Sequence, residues 1–269
     1  MLMKRIENKR ILILIGNRSD ETYFHIVGDL ARRGASIILA GSNLSDLTER
    51  LIAEYSEKNV KGINKAYTFN KSDSEENFQD AFTPLSQSQI QTIQFCIENQ
   101  NKIQKFAEEI GRIDDFVLLT LDDFQHVNSL YLNIVMLIDR LYESNREVIN
   151  FFLVLKNSDK KEVERHLTND RLVVCKDFPF VVSQLIQYSK LYNRRKIVFI
   201  VLHASLRQEG FWKNAQDVIR LLLLERDNNF CSGEYYEGGK KIKLPQHNNE
   251  QVEELRRYTE NSLDRMKIE

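Results

Sequence analysis

The sequence contains few side chains whose types and spacing are typical of catalysis. Asp122 and Asp123 form a carboxylate pair directly after an apolar stretch that is predicted to be a strand. Open α/β sheets bind ligands at the carboxyl ends of their strands, so the pair lies where a ligand would bind. Two acidic residues at such a place more commonly begin a helix, where they complement the positive end of the helix dipole. We therefore interpret this pair as a helix start.

The sequence motifs of several common chemistries are absent. The chain has no G-x-S-x-G turn, no H-E-x-x-H zinc motif, no Walker phosphate loop and no EF-hand loop. Its three cysteines, Cys96, Cys175 and Cys231, are far apart and form no C-x-x-C pair. We therefore predict neither a zinc site nor a disulfide framework, and we expect free thiols in a reducing compartment.

The composition is that of a soluble globular protein, with 42% hydrophobic and 29% charged residues among 269. A formal net charge of -1 provides no global field that would attract nucleic acid or an anionic membrane. The apolar run at residues 11–16 is too short for a signal sequence, and no stretch approaches the roughly 18 apolar residues of a membrane span. We expect a cytoplasmic protein with neither a nucleic-acid nor a membrane partner.

Short apolar runs alternate with longer amphipathic segments, a pattern that is typical of βαβ units around a parallel sheet. Strands are predicted at residues 10–15, 36–40, 66–69, 114–120, 148–155 and 196–202, and a last strand opens at Tyr235. Helices are predicted at residues 22–33, 44–58, 89–110, 127–142, 180–192 and 215–226. These elements predict an α/β fold, a three-layer Rossmann-type doubly wound parallel sheet.

The domain organisation follows from the same pattern. Residues 1–248 are predicted to form a single domain, which includes a polar loop or insertion at residues 70–87. Residues 249–269 are polar, and we predict that they form a C-terminal helical extension.

Several segments, in this order, resemble the short-chain dehydrogenase/reductase family. Residues 10–16, RILILIG, and 29–43, DLARRGASIILAGSN, are similar to the family's first βαβ unit. Residues 111–117, GRIDDFV, resemble its lead into the fourth strand. Residues 181–202 are similar to its long helix and following strand, and residues 214–239 resemble its final segment. The similarity covers nearly the whole chain.

This resemblance implies a dinucleotide site at the first strand-to-helix turn. The family pattern there is TGxxxGxG, of which only the first glycine is kept, while Asp20 and Thr22 stand at the other two glycine positions. Asp20 also suits the role of a helix cap. The residues at the positions that would contact a nicotinamide cofactor are Gly16, Arg18, Ser19, Ser42 and Asn43. The family's NNAG segment aligns with residues 118–121, whose leucines we expect to crowd a bound cofactor.

The family's catalytic Y-x-x-x-K pair is not found at its expected place. The alignment puts the tyrosine near Val174 and the lysine near Phe178, and neither residue type is present there. A literal Y-x-x-x-K at residues 192–196 lies at a helix end directly before a strand, so we interpret it as coincidence. The remaining candidates for catalysis are Ser158, Lys176 and Tyr131.

We therefore expect a non-catalytic dehydrogenase-like protein that binds no nicotinamide cofactor or binds NAD(P) weakly. Helix pairing in the family implies a homodimer, or a complex with an active paralogue, through helices 127–142 and 180–192. One alternative is an NAD(P)-dependent oxidoreductase with a rearranged site, of the carbonyl/alcohol or acyl-chain reductase type. Another is a nucleotide- or metabolite-binding regulator.

Overall fold

The computed structural model describes residues 6, 9–16, 21–42, 44–54, 90–119, 127–145, 149–155, 160–168, 178–192, 196–202, 208–224, 231–245 and 249–266. Its strands are β1 (Arg10–Ile15), β2 (Ser36–Gly41), β3 (Ile90–Gln94), β4 (Asp115–Leu119), β5 (Asn150–Leu155), β6 (Lys196–Val201), β7 (Glu234–Glu237) and β8 (Lys240–Ile242). Its helices are α1 (Glu21–Arg32), α2 (Ser45–Glu54), α3 (Ile103–Ile110), α4 (Val127–Asn145), α5 (Lys160–Thr168), α6 (Phe178–Leu191), α7 (Gln208–Leu224) and α8 (Asn249–Met266).

The strands form one sheet in the order β3-β2-β1-β4-β5-β6-β7-β8. Every neighbouring pair is parallel except β7 and β8, which are antiparallel. The chain runs outward from β1 to one edge, returns to β4 beside β1, and then continues to the other edge. The predicted Rossmann-type doubly wound sheet is confirmed.

The central strands are apolar on both faces because helices cover both faces of the sheet. In β1, Leu12 and Leu14 belong to a cluster that includes residues of α3, α4 and α6. Ile11, Ile13 and Ile15 belong to the opposite cluster, with residues of α1 and α7. Successive strand side chains alternate between the faces, so a strand between two helical layers needs apolar residues at every position.

The amino ends of three central strands are joined by one buried carboxylate. Asp115, at the start of β4, accepts hydrogen bonds from Lys9 Nζ at 2.7 Å and from Asn150 Nδ2 at 3.0 Å. Lys9 precedes β1 and Asn150 begins β5, so this carboxylate contacts groups from both neighbouring strands. Its partners compensate the cost of burying its charge.

The prediction of a helix over residues 89–110 is wrong. This segment contains edge strand β3, a 3-10 turn at Gln100–Lys102 and only then helix α3. Ile90, Ile93 and Ile97 are spaced three and four residues apart, which imitates the apolar stripe of a helix. Parallel pairing of β3 with β2 decides the structure instead.

One further difference concerns the segments around the core. The charged segment before residue 169 contains α5, for which no helix was predicted. The predicted strand at residues 66–69 and the polar loop at 70–87 lie outside the described residues. The last strand at Tyr235 is confirmed as part of β7.

The C-terminal helix α8 forms an additional layer outside the sheet and its flanking helices. It packs against α4 and α6, and Leu255 of α8 is fully buried in the cluster that these helices share. Within the described part of the chain, no helix is both long and apolar enough to cross a membrane.

Gly233, in the turn before β7, has a backbone conformation and an environment that require glycine. Its φ is 86°, and a Cβ atom there would lie 2.9 Å from Oγ of the buried Ser189. Gly111, which ends α3, also has a positive φ of 65°, but its nearest atom would be Arg10 Nη1 at 3.9 Å. Comparing an alanine substitution at each position therefore separates the cost of the backbone conformation from the cost of crowding by Ser189.

We predict that Gly233→Ala lowers the free energy of unfolding by about 3 kcal/mol, because left-handed strain and overpacking add. Gly111, with a ψ of -147°, lies in a backbone region that is essentially restricted to glycine, so Gly111→Ala should cost about 2 kcal/mol from strain alone. Urea unfolding of both variants, followed by circular dichroism, measures the difference. Equal losses of stability would contradict the contact with Ser189.

Candidate functional site

The candidate site lies at the carboxyl ends of β1, β2 and β4. The chain leaves β1 towards β2 on one side and reaches β4 on the other, so the connections diverge between β1 and β4. A crevice forms at such a switch point because the helices that follow the two strands cover opposite faces of the sheet. Two residues predicted to contact a cofactor, Gly16 and Ser42, are described in this region.

Gly16 and Ser42 lie side by side at this edge. The strand register pairs Leu14 of β1 with Ala40 of β2. Gly16 and Ser42 each lie two positions further along the chain. Gly16 is buried and Ser42 is exposed. Arg18, Ser19 and Asn43, the other predicted cofactor contacts, lie outside the described residues.

The protein's own leucine covers the end of β2. A Cβ atom on Gly41 would lie 2.9 Å from Cδ2 of Leu44 and 3.2 Å from the carbonyl oxygen of Ile15. Leu44 packs against the cluster of α1 and α7 and is only partly exposed. The surface directly beside Gly41 is therefore occupied by a side chain of this chain.

An ion pair occupies the start of α1. The Glu21 carboxylate, in the first helical turn, accepts a hydrogen bond from Arg50 Nη2 of α2 at 2.7 Å. The guanidinium carbon of Arg50 also lies 5.0 Å from the ring centroid of Phe24. The positive end of the α1 dipole favours a negative group at this place, and Glu21 provides one. Both partners are about half exposed, so the pair contributes little to stability.

His25, one turn further along α1, adds no charge to this region at neutral pH. Burial lowers the pKa of His25 below its ordinary value, although the Glu21 carboxylate opposes this effect. A histidine whose pKa is lowered in this way is neutral at pH 7. The charges at the start of α1, as far as the described residues go, are those of Glu21 and Arg50.

Leu118 and Leu119, at the end of β4, do not have the position that the sequence analysis expects. Both are strand residues with no exposed surface, and they pack into the two opposite core clusters. They are therefore part of the core. Contrary to the prediction, their side chains do not crowd the crevice. Thr120 and Leu121, the rest of that segment, lie outside the described residues.

Tyr131 is the one candidate for catalysis that the described residues include. It lies in the second turn of α4 with 2% of its surface exposed, and its hydroxyl forms a 2.7 Å hydrogen bond with Thr259 Oγ1 of α8. Burial raises the pKa of Tyr131 well above its usual range, and the Thr259 hydrogen bond opposes this effect only in part. The hydroxyl is therefore a neutral group enclosed between two helices. Ser158 and Lys176 lie outside the described residues.

The literal Y-x-x-x-K has the placement that the sequence predicts. Tyr192 follows the last residue of α6, and Lys196 is the first residue of β6. The Tyr192 hydroxyl donates to Glu260 Oε1 of α8 at 3.4 Å. Lys196 lies at the amino end of its strand, opposite the edge where Gly16 and Ser42 lie.

The site has a limited chemical repertoire among the described residues. No group of three or more His, Cys, Asp or Glu side chains in the described ranges could hold a metal ion. The residues that the sequence analysis did not single out are Glu21, Leu44 and Arg50. Glu21 and Arg50 are 29 residues apart, so no local pattern indicates their pairing, whereas Leu44 lies three residues from Gly41.

We predict that Tyr131→Phe removes about 1 kcal/mol of stability at pH 8 through loss of the Thr259 hydrogen bond. The pKa of Tyr131 is raised by folding, so the unfolded chain releases this proton first, from about pH 10 upward. Wild-type stability should therefore fall more steeply with rising pH than that of the variant. Urea unfolding between pH 8 and pH 11 tests this, with exposed Tyr258→Phe as the control. Parallel pH profiles for wild type and Tyr131→Phe would contradict it.

Comparisons with known proteins give structural matches only. No family model matches the chain, and no curated protein matches it. An uncharacterized protein from Mycobacterium Paratuberculosis is similar in structure, with a TM-score of 0.56 and 14% identity over 95% of this chain and 93% of that one. BdcA from E. coli has a TM-score of 0.51 and 12% identity over 87% of this chain and 100% of its own.

A short-chain dehydrogenase from Salmonella enterica serovar Typhi has a TM-score of 0.50 and 15% identity, over 89% of this chain and 100% of that one. At such identities the similarity concerns the fold alone. The chain has a Rossmann-type fold like that of a short-chain dehydrogenase.

Proposed function

We propose that this chain is a dehydrogenase-fold protein that transfers no hydride and acts as a structural or partner subunit. The observation that carries the proposal is that the protein's own groups occupy the crevice edge. Leu44 packs over Gly41, the last residue of β2, and the Glu21–Arg50 pair occupies the start of α1.

The charge at the start of α1 argues against a bound pyrophosphate. Dinucleotide-binding folds place the pyrophosphate at this helix start, where glycines allow the backbone to approach it. Here the Glu21 carboxylate provides the negative charge, and it holds Arg50 in an ion pair. A phosphate would have to approach a carboxylate, which repels it, and it would have to compete for Arg50.

The surroundings of Tyr131 argue against it as a proton donor. A general acid must come within hydrogen-bond reach of the substrate, roughly 3 Å between heavy atoms. The Tyr131 hydroxyl is buried between α4 and α8 and is already bonded to Thr259. We assign it a role in holding α8.

A partner that binds the expected pairing helices must share the surface of those helices with α8. Helices 127–142 and 180–192 are the expected pairing helices, and α8 packs on the corresponding helices α4 and α6. A dimer, or a complex with an active paralogue, through these helices therefore depends on where α8 is bound.

Titration with NAD⁺, NADH, NADP⁺ and NADPH tests the proposal. A ligand present at about 100 times its Kd stabilises a folded protein by about 2.7 kcal/mol, which raises the Tm by several degrees in a domain of this size. We expect no rise in Tm at millimolar cofactor and no turnover of a panel of carbonyl substrates. An active dehydrogenase serves as the positive control.

The outcomes distinguish the three functions. Saturable binding with turnover would overturn the proposal in favour of an oxidoreductase with a rearranged site, in which Ser158 or Lys176 takes part. Saturable binding without turnover would favour a nucleotide-binding regulator. No binding, together with a stable complex between this chain and an active dehydrogenase, is the expected result.

A further inference from the structure

The last two strands form a hairpin that ends the sheet. Strand β7 pairs with β6 on one side and with β8 on the other, and no described strand pairs with the outer side of β8. The turn contains only residues 238 and 239, and it places Glu237 opposite Lys240. In the described part of the chain, β8 is therefore an edge strand.

The register of the hairpin determines which backbone groups of β8 face outward. In a hairpin with a two-residue turn, the pair beside the turn exchanges both backbone hydrogen bonds, and bonded and non-bonded pairs then alternate. Lys240 and Ile242 therefore bond to β7, whereas the N–H and C=O groups of Lys241 and Lys243 point outward. Among the described turns and loops, no backbone group bonds to these two residues. Pro245 has no N–H, so the row of outward donors ends there.

The side chains along this edge are positively charged. Lys240, Lys241 and Lys243 are all exposed. The Lys241 ammonium is bonded to the Glu234 carboxylate of β7, so its charge is largely compensated. No described acidic side chain forms an ion pair with Lys240 or Lys243. Two cations therefore remain available to a negatively charged group that approaches the edge.

The edge also has an apolar side. Because side chains alternate along a strand, Ile242 and Leu244 lie on the face opposite Lys241 and Lys243. Both apolar side chains are partly exposed, and both pack against the cluster of α4 and α6. A strand added here would therefore meet lysines on one face of the sheet and apolar side chains on the other.

We propose that the outer edge of β8 binds an extended acidic segment of another protein, which adds a ninth strand to the sheet. Its backbone pairs with the outward groups of Lys241 and Lys243, as in other cases of strand addition. Its acidic side chains lie beside the lysines, and its alternate apolar side chains extend the contact of Ile242 and Leu244.

The charges and the backbone favour this occupant over two others. A second copy of this chain would bring β8 against β8 and thus lysine against lysine, and such like-charge pairs keep identical edges apart. A nucleic acid would satisfy the lysines, but its phosphates are acceptors only and offer no donor to the outward carbonyls. An extended peptide supplies donors and acceptors in alternation.

The proposed surface is separate from the crevice. Four strands lie between β1 and β8, which places the two about 24 Å apart at the usual spacing of strands. Peptide binding at β8 is therefore independent of cofactor binding, and neither result decides the other.

A synthetic peptide of seven residues that alternates glutamate and valine tests the proposal on the full-length protein. Hydrogen exchange of each backbone amide is measured by NMR with and without the peptide at millimolar concentration. We expect exchange at Lys241 and Lys243 to slow by at least about tenfold, because their amides gain a partner. Exchange at Lys240 and Ile242 should change little, because these amides already bond to β7. Absence of binding, or protection elsewhere without protection at Lys241 and Lys243, would overturn the proposal.

Three matched ligands distinguish strand addition from simple charge attraction. The first is the same peptide with methyl groups on alternate backbone nitrogens, the second alternates lysine and valine, and the third is a DNA single strand of equal charge. All three should bind at least about tenfold more weakly than the acidic peptide. Equal binding of the methylated peptide or of the DNA would overturn the proposal. Protection of Lys241 and Lys243 that rises with protein concentration, without any peptide, would show pairing with a second copy and would also overturn it.

Variants of Lys243 separate the side chain from the backbone. Lys243→Gln should raise the Kd of the acidic peptide about threefold, the effect of one exposed ion pair. Lys243→Pro also removes the outward N–H and should raise the Kd about fifteenfold. Lys102→Gln, at an exposed lysine before α3, should leave the Kd unchanged. Equal Kd values for Lys243→Gln and Lys243→Pro would contradict backbone pairing. If the proline variant does not fold, as judged by circular dichroism, the methylated peptide still decides.

Discussion

Burial of the central strands on both faces is the constraint on which the rest of the structure depends. Because β1, β4, β5 and β6 have almost no exposed surface, their polar groups can act only at the ends of the sheet. At the amino end, Asp115 is bonded to Lys9 and Asn150, so that end is structural. Open α/β sheets bind ligands at the carboxyl ends of their strands, and Gly16 and Ser42 lie at that end. The literal Y-x-x-x-K reaches the amino end of β6 and so lies at the other end of the sheet from Gly16 and Ser42.

The sequence predicted the central sheet well because its strands are long apolar runs with no alternation. It failed at edge strand β3, where spacing typical of a helix conflicts with pairing that only the neighbouring β2 provides. Gly16 and Ser42 each follow a predicted parallel strand, so the sequence was sufficient to place both at one edge of the sheet. Glu21 and Arg50 could not be paired, because 29 residues separate them and nothing in either segment indicates the other. The same holds for Tyr131 and Thr259, which are 128 residues apart.

The fold and the crevice lead to different conclusions about function. The fold resembles that of a short-chain dehydrogenase, and the switch point of such a sheet is where a ligand binds. The described residues near that point are instead engaged with one another, through an ion pair and a leucine packed over a glycine. A fold does not determine an activity, and the residues at the site must decide it. That separation is the physical ground on which we propose a protein that keeps the scaffold of an enzyme for another purpose.

The position of α8 after all the strands also has a consequence for biosynthesis. Domains fold as the chain emerges from the ribosome, at roughly 5–20 residues per second, and the amino-terminal parts emerge first. The helices α4 and α6 emerge before Thr259, so their surface around Tyr131 is without α8 during that interval. The Tyr131 hydroxyl therefore has no Thr259 partner until α8 has been synthesised.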